Sequence, residues 1–262
     1  NFDEEIKKII PGKVVADTNL NIEDLHFPLL PEEIERFKKL GKETAISIRE
    51  LAEEIKVGNR EIEVAGRLCE KLWGKNIIPI TILIASDERI KKFRHPIPKD
   101  KKIKKYVMLV VCARREGLIV SLTRFVHFGK INNELRKKHI AVCRIDAHFI
   151  NSTRVGETIG NVFCKGIEMY EKTGYKEEWK KHHQGGLTGY LTRYFRATEK
   201  SSKIIIENMA FAWNPSITGT KSEDTIITTK EKPIIITEDK NWPMLKININ
   251  DMEILRPDIM IK

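Results

Sequence analysis

His182-His183-Gln184-Gly185-Gly186-Leu187-Thr188-Gly189-Tyr190 sets two adjacent imidazoles against a glycine-rich turn in a region otherwise crowded with Lys and Glu. Gln184 is the only glutamine among 262 residues. Glycines let the backbone take conformations closed to other residues, and imidazoles can bind or move protons near neutral pH. The stretch therefore fits a catalytic or ligand pocket, or a hydrogen-bonded turn that caps a sheet.

Outward from this stretch, the chain reads as two rounds of helices followed by strands. Leu29-Leu30-Pro31-Glu32-Glu33 opens a helix, with proline at a tolerated early position and acids at the positive end of the dipole. Apolar spacing from Ile34 to Ile55 carries it to about residue 56. A second helix spans Glu61 to about Gly74, with Ile62, Val64, Ala65, Leu68 and Leu72 on one face. Strands follow at Ile80–Ala85, Tyr106–Ala113 and Leu118–Leu122, the last two joined by a charged turn. Helical spacing returns over Asn132–Ile150 and again around Gly156–Thr173. Strands resume at Lys203–Glu207, Met209–Trp213, Asp224–Thr228 and Pro233–Thr237. The order implies an α+β fold of two α/β halves sharing one curved antiparallel sheet. Residues 1–27, with Pro11-Gly12, read as an extended lead-in, and 28–262 as one domain.

Composition narrows the class. With 41% hydrophobic and 32% charged residues, the chain has enough apolar mass for a full core. No apolar run reaches the roughly 18 residues that span a bilayer, which argues against a membrane partner. Cys69, Cys112, Cys143 and Cys164 are widely spaced, which points to reduced thiols and a cytoplasmic location. The net charge of +10 is interspersed, its densest basic run being Lys99–Lys105. No basic motif is interleaved with aromatics, so nucleic acid is not the expected partner. Abundant Ile, Lys and Glu with almost no Gln hints at a thermophile, although Asn is not depleted.

Residues 29–237 resemble the catalytic domain of the creatinase, prolidase and methionine aminopeptidase family, peptidase M24, whose fold is called pita-bread. The likeness is carried by Asn59–Glu63, His95-Pro96-Ile97-Pro98, Ser121-Leu122-Thr123-Arg124 and His182–Tyr190. Trp213-Asn214-Pro215 and Ser222-Glu223-Asp224-Thr225 resemble the closing pair of motifs. The resemblance implies that residues 1–27 lead out of an N-terminal domain absent from this chain. It also implies a homodimer.

Active members bind two divalent metals through two Asp, one His and two Glu, a hard donor set suited to Mn, Co or Zn. At the matching positions this chain has Val110, Ser121, Gly186, Asn214 and Glu223, so only Glu223 survives. His182, His183 and Glu223 have the right donor types for a single ion, but adjacent residues usually point apart. No metal and no other cofactor is expected.

The resemblance places Arg193 where relatives carry a substrate-contacting histidine, so the pocket has lost negative charge and gained a guanidinium. Such a pocket favours a small anionic or peptide-like ligand, unless Arg193 lies on a solvent face. Within the family, creatinase hydrolyses an amidino compound without metal by histidine acid–base chemistry. On that precedent His95 acts as acid and base, His182 or His183 polarises a substrate and Glu223 orients it, while Arg193, Asn214, Tyr190 and Ser121 bind. The expected function is a metal-independent hydrolase of, or binder for, a small anionic, amide or amidino molecule. The alternatives are a non-catalytic module binding protein or nucleic acid, and, third, a metallo-aminopeptidase. Cys112 in an apolar strand, Cys164 on a helix and Ser121 without a Gly-x-Ser-x-Gly context do not read as nucleophiles.

Overall fold

A computed structural model describes residues 22–249 and 252–262, together with Glu5, Lys8 and Ile9. Most of the expected lead-in at 1–27 lies outside the described residues. Its last part is not extended: Ile22–His26 form a 3-10 turn. Phe27 behind it is buried against Tyr194 and Phe195.

The helices form where periodicity and end chemistry agree. Helix α1 (Pro31–Glu54) starts with proline in its first turn, and the Glu33 carboxylate takes the Leu30 N–H at 2.7 Å. In α2 (Glu61–Trp73) Glu63 does the same for the Arg60 N–H at 2.9 Å. Such an end contact is worth ~1 kcal/mol. Gly41 in the middle of α1 is required by a close approach, since a Cβ there would sit 2.2 Å from the Ile236 carbonyl oxygen. Ile62 departs from the expected apolar face of α2 and is exposed.

Strands β1 (Ile78–Ser86), β2 (Tyr106–Arg115) and β3 (Leu118–His127) form an antiparallel meander, with the short helix α3 (Glu88–Lys92) after β1. The apolar face of this sheet packs under α1 and α2 in one core. The second half repeats the plan with α4 (Asn133–Ser152) and α5 (Ile159–Lys172), capped by Asn132 and Thr158 side chains. Its sheet contains β4 (Gly185–Thr188) and β5 (Ala210–Trp213). The ribbon of β6 (Ser216–Ile217) and β7 (Thr220–Lys221) then leads into β8 (Asp224–Ile227) and β9 (Ile234–Ile235). The strand order in this sheet is β4-β5-β8-β9. Phe149, Phe211 and Trp213 stack beneath it in a second core.

The two sheets join where β3 runs beside the entry to β8. Thr123 pairs with Glu223, and the Ser121 N–H donates to Thr225 Oγ1 at 2.8 Å. This is the α+β arrangement of two halves expected from the element order.

Two expected strands are not realised as such. Lys203–Glu207 alternates exposed Ile204, buried Ile205 and exposed Ile206 as a strand would. Among the described residues, however, its backbone–backbone bonds reach only residues 156–159, through the one bridge of Ile204 to Thr158, so no sheet extends from it. Pro233–Thr237 is reduced to β9, an edge where proline cannot donate to a ladder. The C-terminal strands β10 (Met244–Ile249) and β11 (Met252–Pro257) pair as a ribbon on α4, and β12 (Met260–Ile261) adds to β3 in parallel. None of the described helices is long and apolar enough to cross a membrane. All four cysteines are free thiols.

Candidate functional site

A cavity of about 540 Å³ lies at the junction of the two sheets. Leu83 and Val110 from β1 and β2 give it an apolar wall together with Cys112. His95 comes from the loop after α3, and Asn214, Lys221 and Glu223 from the segments between β5 and β8. Arg193 and Arg196 lie on the segment that follows β4. Val110 is buried as a core residue would be, yet it also faces this cavity.

Glu223 is the centre of charge. Its carboxylate accepts the Thr123 hydroxyl at 2.7 Å and lies 2.8 Å from Lys221 Nζ and 3.3 Å from Arg193 Nη2. All three side chains of this ion triad are largely buried. Burial works to raise the Glu223 pKa, but Lys221 and Arg193 outweigh it and hold it at about 2, so the group is ionised. Arg193 is thus a pocket residue and not a solvent-facing one. It also reaches Ser121 Oγ and the Thr192 carbonyl. Two polar atoms of the site are buried without a partner among the described residues: Arg193 Nε and Asn214 Oδ1.

The loop carrying His95 is anchored by buried charges. Glu61, the first residue of α2, is wholly inaccessible. It accepts Ser86 N and Ser86 Oγ at 2.8 Å each, accepts Lys99 N at 3.1 Å and pairs with Arg89. Arg94, next to His95, is fixed on Glu178 at 2.7 Å. The unique Gln184 is structural: buried, it receives the Tyr170 hydroxyl and donates to the Trp179 and His182 carbonyls.

Contrary to the expectation for adjacent residues, His182 and His183 do not point apart. Their rings stack with centroids 4.5 Å apart, and His95 lies beside both. His183 faces the cavity and its Nδ1 accepts the Gly185 N–H at 3.3 Å, which leaves the proton of the neutral ring on Nε2. His182 sits behind His95, Nε2 to Nε2 at 3.0 Å, and outside the cavity wall, with Nδ1 buried and unpartnered among the described residues. It is therefore placed to support His95 and not to polarise a bound substrate. Burial, reinforced by surrounding cations, lowers all three histidines: His183 to about 3, His182 far below its ordinary range, and His95 by burial and Lys221. At neutral pH the three rings are uncharged.

The donor set does not fit a pair of divalent ions. Val110 and Gly186 offer no side-chain ligand, Ser121 and Asn214 are neutral, and Glu223 is already neutralised by two cations. At Gly186 the space is filled, because a Cβ there would lie 2.5 Å from the Phe195 carbonyl oxygen. The three imidazoles offer ligand atoms within 4.8 Å of one another. The outer nitrogens of His182 and His183 are arranged against a shared ion, since a ligating histidine donates its other N–H to an acceptor. His183 Nδ1 receives an N–H instead, and His182 Nδ1 has no partner among the described residues.

Tyr190 is placed outside the site. Its hydroxyl bonds Glu33 and its ring packs on Gly117. Ser121 is fully buried at the back of the seam, bonded to Cys112 Sγ at 3.3 Å. Burial pushes the Cys112 thiol pKa up, so it is protonated. The residues missed from the sequence are Lys221, Arg196 and the positioning Glu61. Lys221 carried a usable signal, because Lys221-Ser222-Glu223 has the i, i+2 spacing that shares one face of an extended segment.

Comparison with known proteins agrees with this architecture. Residues 35–233 match the model of "Metallopeptidase family M24". The Xaa-Pro dipeptidase of Pyrococcus furiosus is 23% identical over 218 residues, covering 80% of this chain but only 62% of its own length. The structure of an Xaa-Pro dipeptidase from Bacillus anthracis superposes with a TM-score of 0.79 at 21% identity, over 92% of this chain and 66% of that one. A prolidase from Pyrococcus horikoshii gives 0.78 at 23% identity, over 91% and 71%. At such identities these structures establish the fold.

Proposed function

The chain belongs to metallopeptidase family M24 and has its pita-bread fold, and we propose that it works without the family's metals, as a hydrolase-type protein for a small anionic molecule bearing an amide or amidino group. One observation carries this reading: Lys221 and Arg193 close on Glu223, the one acidic residue of the cavity wall. The cavity has two cations on one anion there, with Arg196 beside them. A carboxylate-bearing ligand supplies the missing negative charge, and a guanidinium grips it in two places.

The proton-moving group is His95. Its ring is neutral and stands at the cavity, backed by His182. A neutral imidazole can take a proton from water as it attacks a carbonyl or amidino carbon and return it to the leaving nitrogen. The His183 Nε2–H is a donor for the oxygen or nitrogen that gains electrons. Glu223 orients the ligand indirectly, by holding Lys221 and Arg193.

A second reading is a binding protein without turnover. It is favoured by the state of Cys112, a protonated thiol whose hydrogen-bond partner among the described residues is Ser121 and not a general base. A screen of N-acyl amino acids and creatine-like compounds separates the two. Turnover that falls on the order of a hundredfold or more in His95→Ala supports the hydrolase. Tight binding without turnover supports the second reading, and neither binding nor turnover by any anionic compound rejects both.

A further inference from the structure

Lys221 lies in the ribbon strand β7 and reaches the cavity with its side chain only 6% exposed. Its one partner among the described residues is Glu223, at 2.8 Å. An ammonium has three N–H donors, so two are left over at the cavity wall. A buried cation with most of its donors idle is costly, and proteins rarely retain one without a use. The same ammonium borders a second, smaller space behind the cavity, shared with His182 and Ser216. It is also the charge that recurs among the causes lowering His95, His182 and His183.

We infer that Lys221 is the resident cation of this site: Glu223 pins its ammonium, and its free N–H groups receive the carboxylate of the ligand beside Arg193. The position of the one retained carboxylate would then serve the opposite purpose from the family's. Instead of collecting metal charge from solution, Glu223 holds a covalently attached positive charge in place. Asn214, whose buried Oδ1 in the same wall has no partner among the described residues, supplies the acceptor for an N–H on the same ligand. An N-acyl amino acid has both groups next to each other. This inference rests on the anion-pocket reading above.

The test is calorimetric titration of the folded chain with N-acetylglycine, set against its neutral analogue N-acetylglycinamide, in the wild type, Lys221→Met and Lys221→Arg. Binding of N-acetylglycine is expected in the wild type, weakened on the order of tenfold or more in Lys221→Met and partly restored in Lys221→Arg. The amide is expected to bind poorly throughout. Wild-type binding that Lys221→Met leaves intact overturns the role of Lys221 and leaves the anion pocket standing on Arg193. No preference for the acid over the amide in the wild type overturns the pocket reading itself, and this inference with it.

Should Lys221→Met fail to fold with Glu223 left half-paired, Lys221→Gln, which keeps a donor toward Glu223 without the charge, replaces it under the same criteria. A second readout is the histidine titration by NMR. Arg94, Arg193, Arg196 and Glu223 remain around the rings, so loss of Lys221 alone should raise the His95 midpoint. An unmoved midpoint means that Lys221 does not face the site.

Discussion

Glu223 and Asp224 are neighbours in sequence and opposites in surroundings. Successive residues of an extended chain face opposite sides of a sheet, so one carboxylate enters the cavity and the other the core of the second half. Asp224 accepts Arg124 at 2.8 Å, Arg256 at 2.6 Å and the Thr237 hydroxyl at 2.6 Å. Arg256 in turn bonds Asp146, which also takes the Ser222 hydroxyl. That network closes two arginines on two aspartates and binds the C-terminal ribbon to α4 and β8. The Glu223 network sets two cations on one carboxylate and leaves donors facing an open cavity. The first network pairs its formal charges within the fold, whereas the second leaves one cation in excess at the cavity wall, the feature on which the ligand proposal rests.

The difference between the two networks should be largest at Arg256. Replacing it by Met leaves Asp146 and Asp224 buried with their shared cation gone, and should destabilise the chain by ~3–5 kcal/mol in denaturant unfolding. A loss below about 1 kcal/mol would show that the closed network is not what holds the ribbon.

Acid separates the two networks further, because they respond with opposite signs. His183 is lowered from 6.5 to about 3, so its contribution to stability is complete above 6.5 and is lost as pH falls toward 3. Glu223, lowered from 4.5 to about 2, loses its contribution between those values. Asp146 is raised by burial from 3.8 to about 6, so its contribution is greatest below 3.8 and declines as pH rises through 6. Acid unfolding should therefore begin at the cavity. His183→Gln, which cannot titrate, should move the acid midpoint down by roughly half to one pH unit, read by circular dichroism. An unchanged midpoint would place the sensitivity elsewhere.

Much of the fold is legible in the sequence because periodicity, helix ends and glycine spacing agree. The meander β1-β2-β3 and helices α1, α2, α4 and α5 follow from apolar patterns alone. Apolar content misleads at Lys203–Glu207, where three consecutive isoleucines read as a strand, yet among the described residues the segment pairs only with the short stretch 156–159 ahead of α5 and joins neither sheet. The ribbon β10–β11 carries the alternation Leu245, Ile247, Ile249, but its place on the fold is not readable in the sequence, because it depends on Arg256, whose aspartate partners sit on α4 and β8, elements remote in the chain.

At the site, a resemblance by position identifies Glu223, Asn214, Arg193 and His95, and each lines the cavity. It cannot identify what replaced the missing ligands. Lys221 matters through a contact to Glu223 two residues on, which the spacing allows but the family pattern does not mark, and Glu61 through four polar contacts to the end of β1, to α3 and to the His95 loop, 25 to 38 residues on. Tyr190 shares the glycine-rich motif but belongs to the α1 side, where Glu33 holds it.

The proposal that fixed side-chain cations take the place of metal in this pocket is open to a direct check. The chain is stripped with chelator, reloaded with Mn or Co, desalted and submitted to elemental analysis. No stoichiometric pair of ions should remain, and N-acetylglycine should bind the same before and after loading. Two ions retained per chain, with binding or turnover that depends on them, would contradict the proposal.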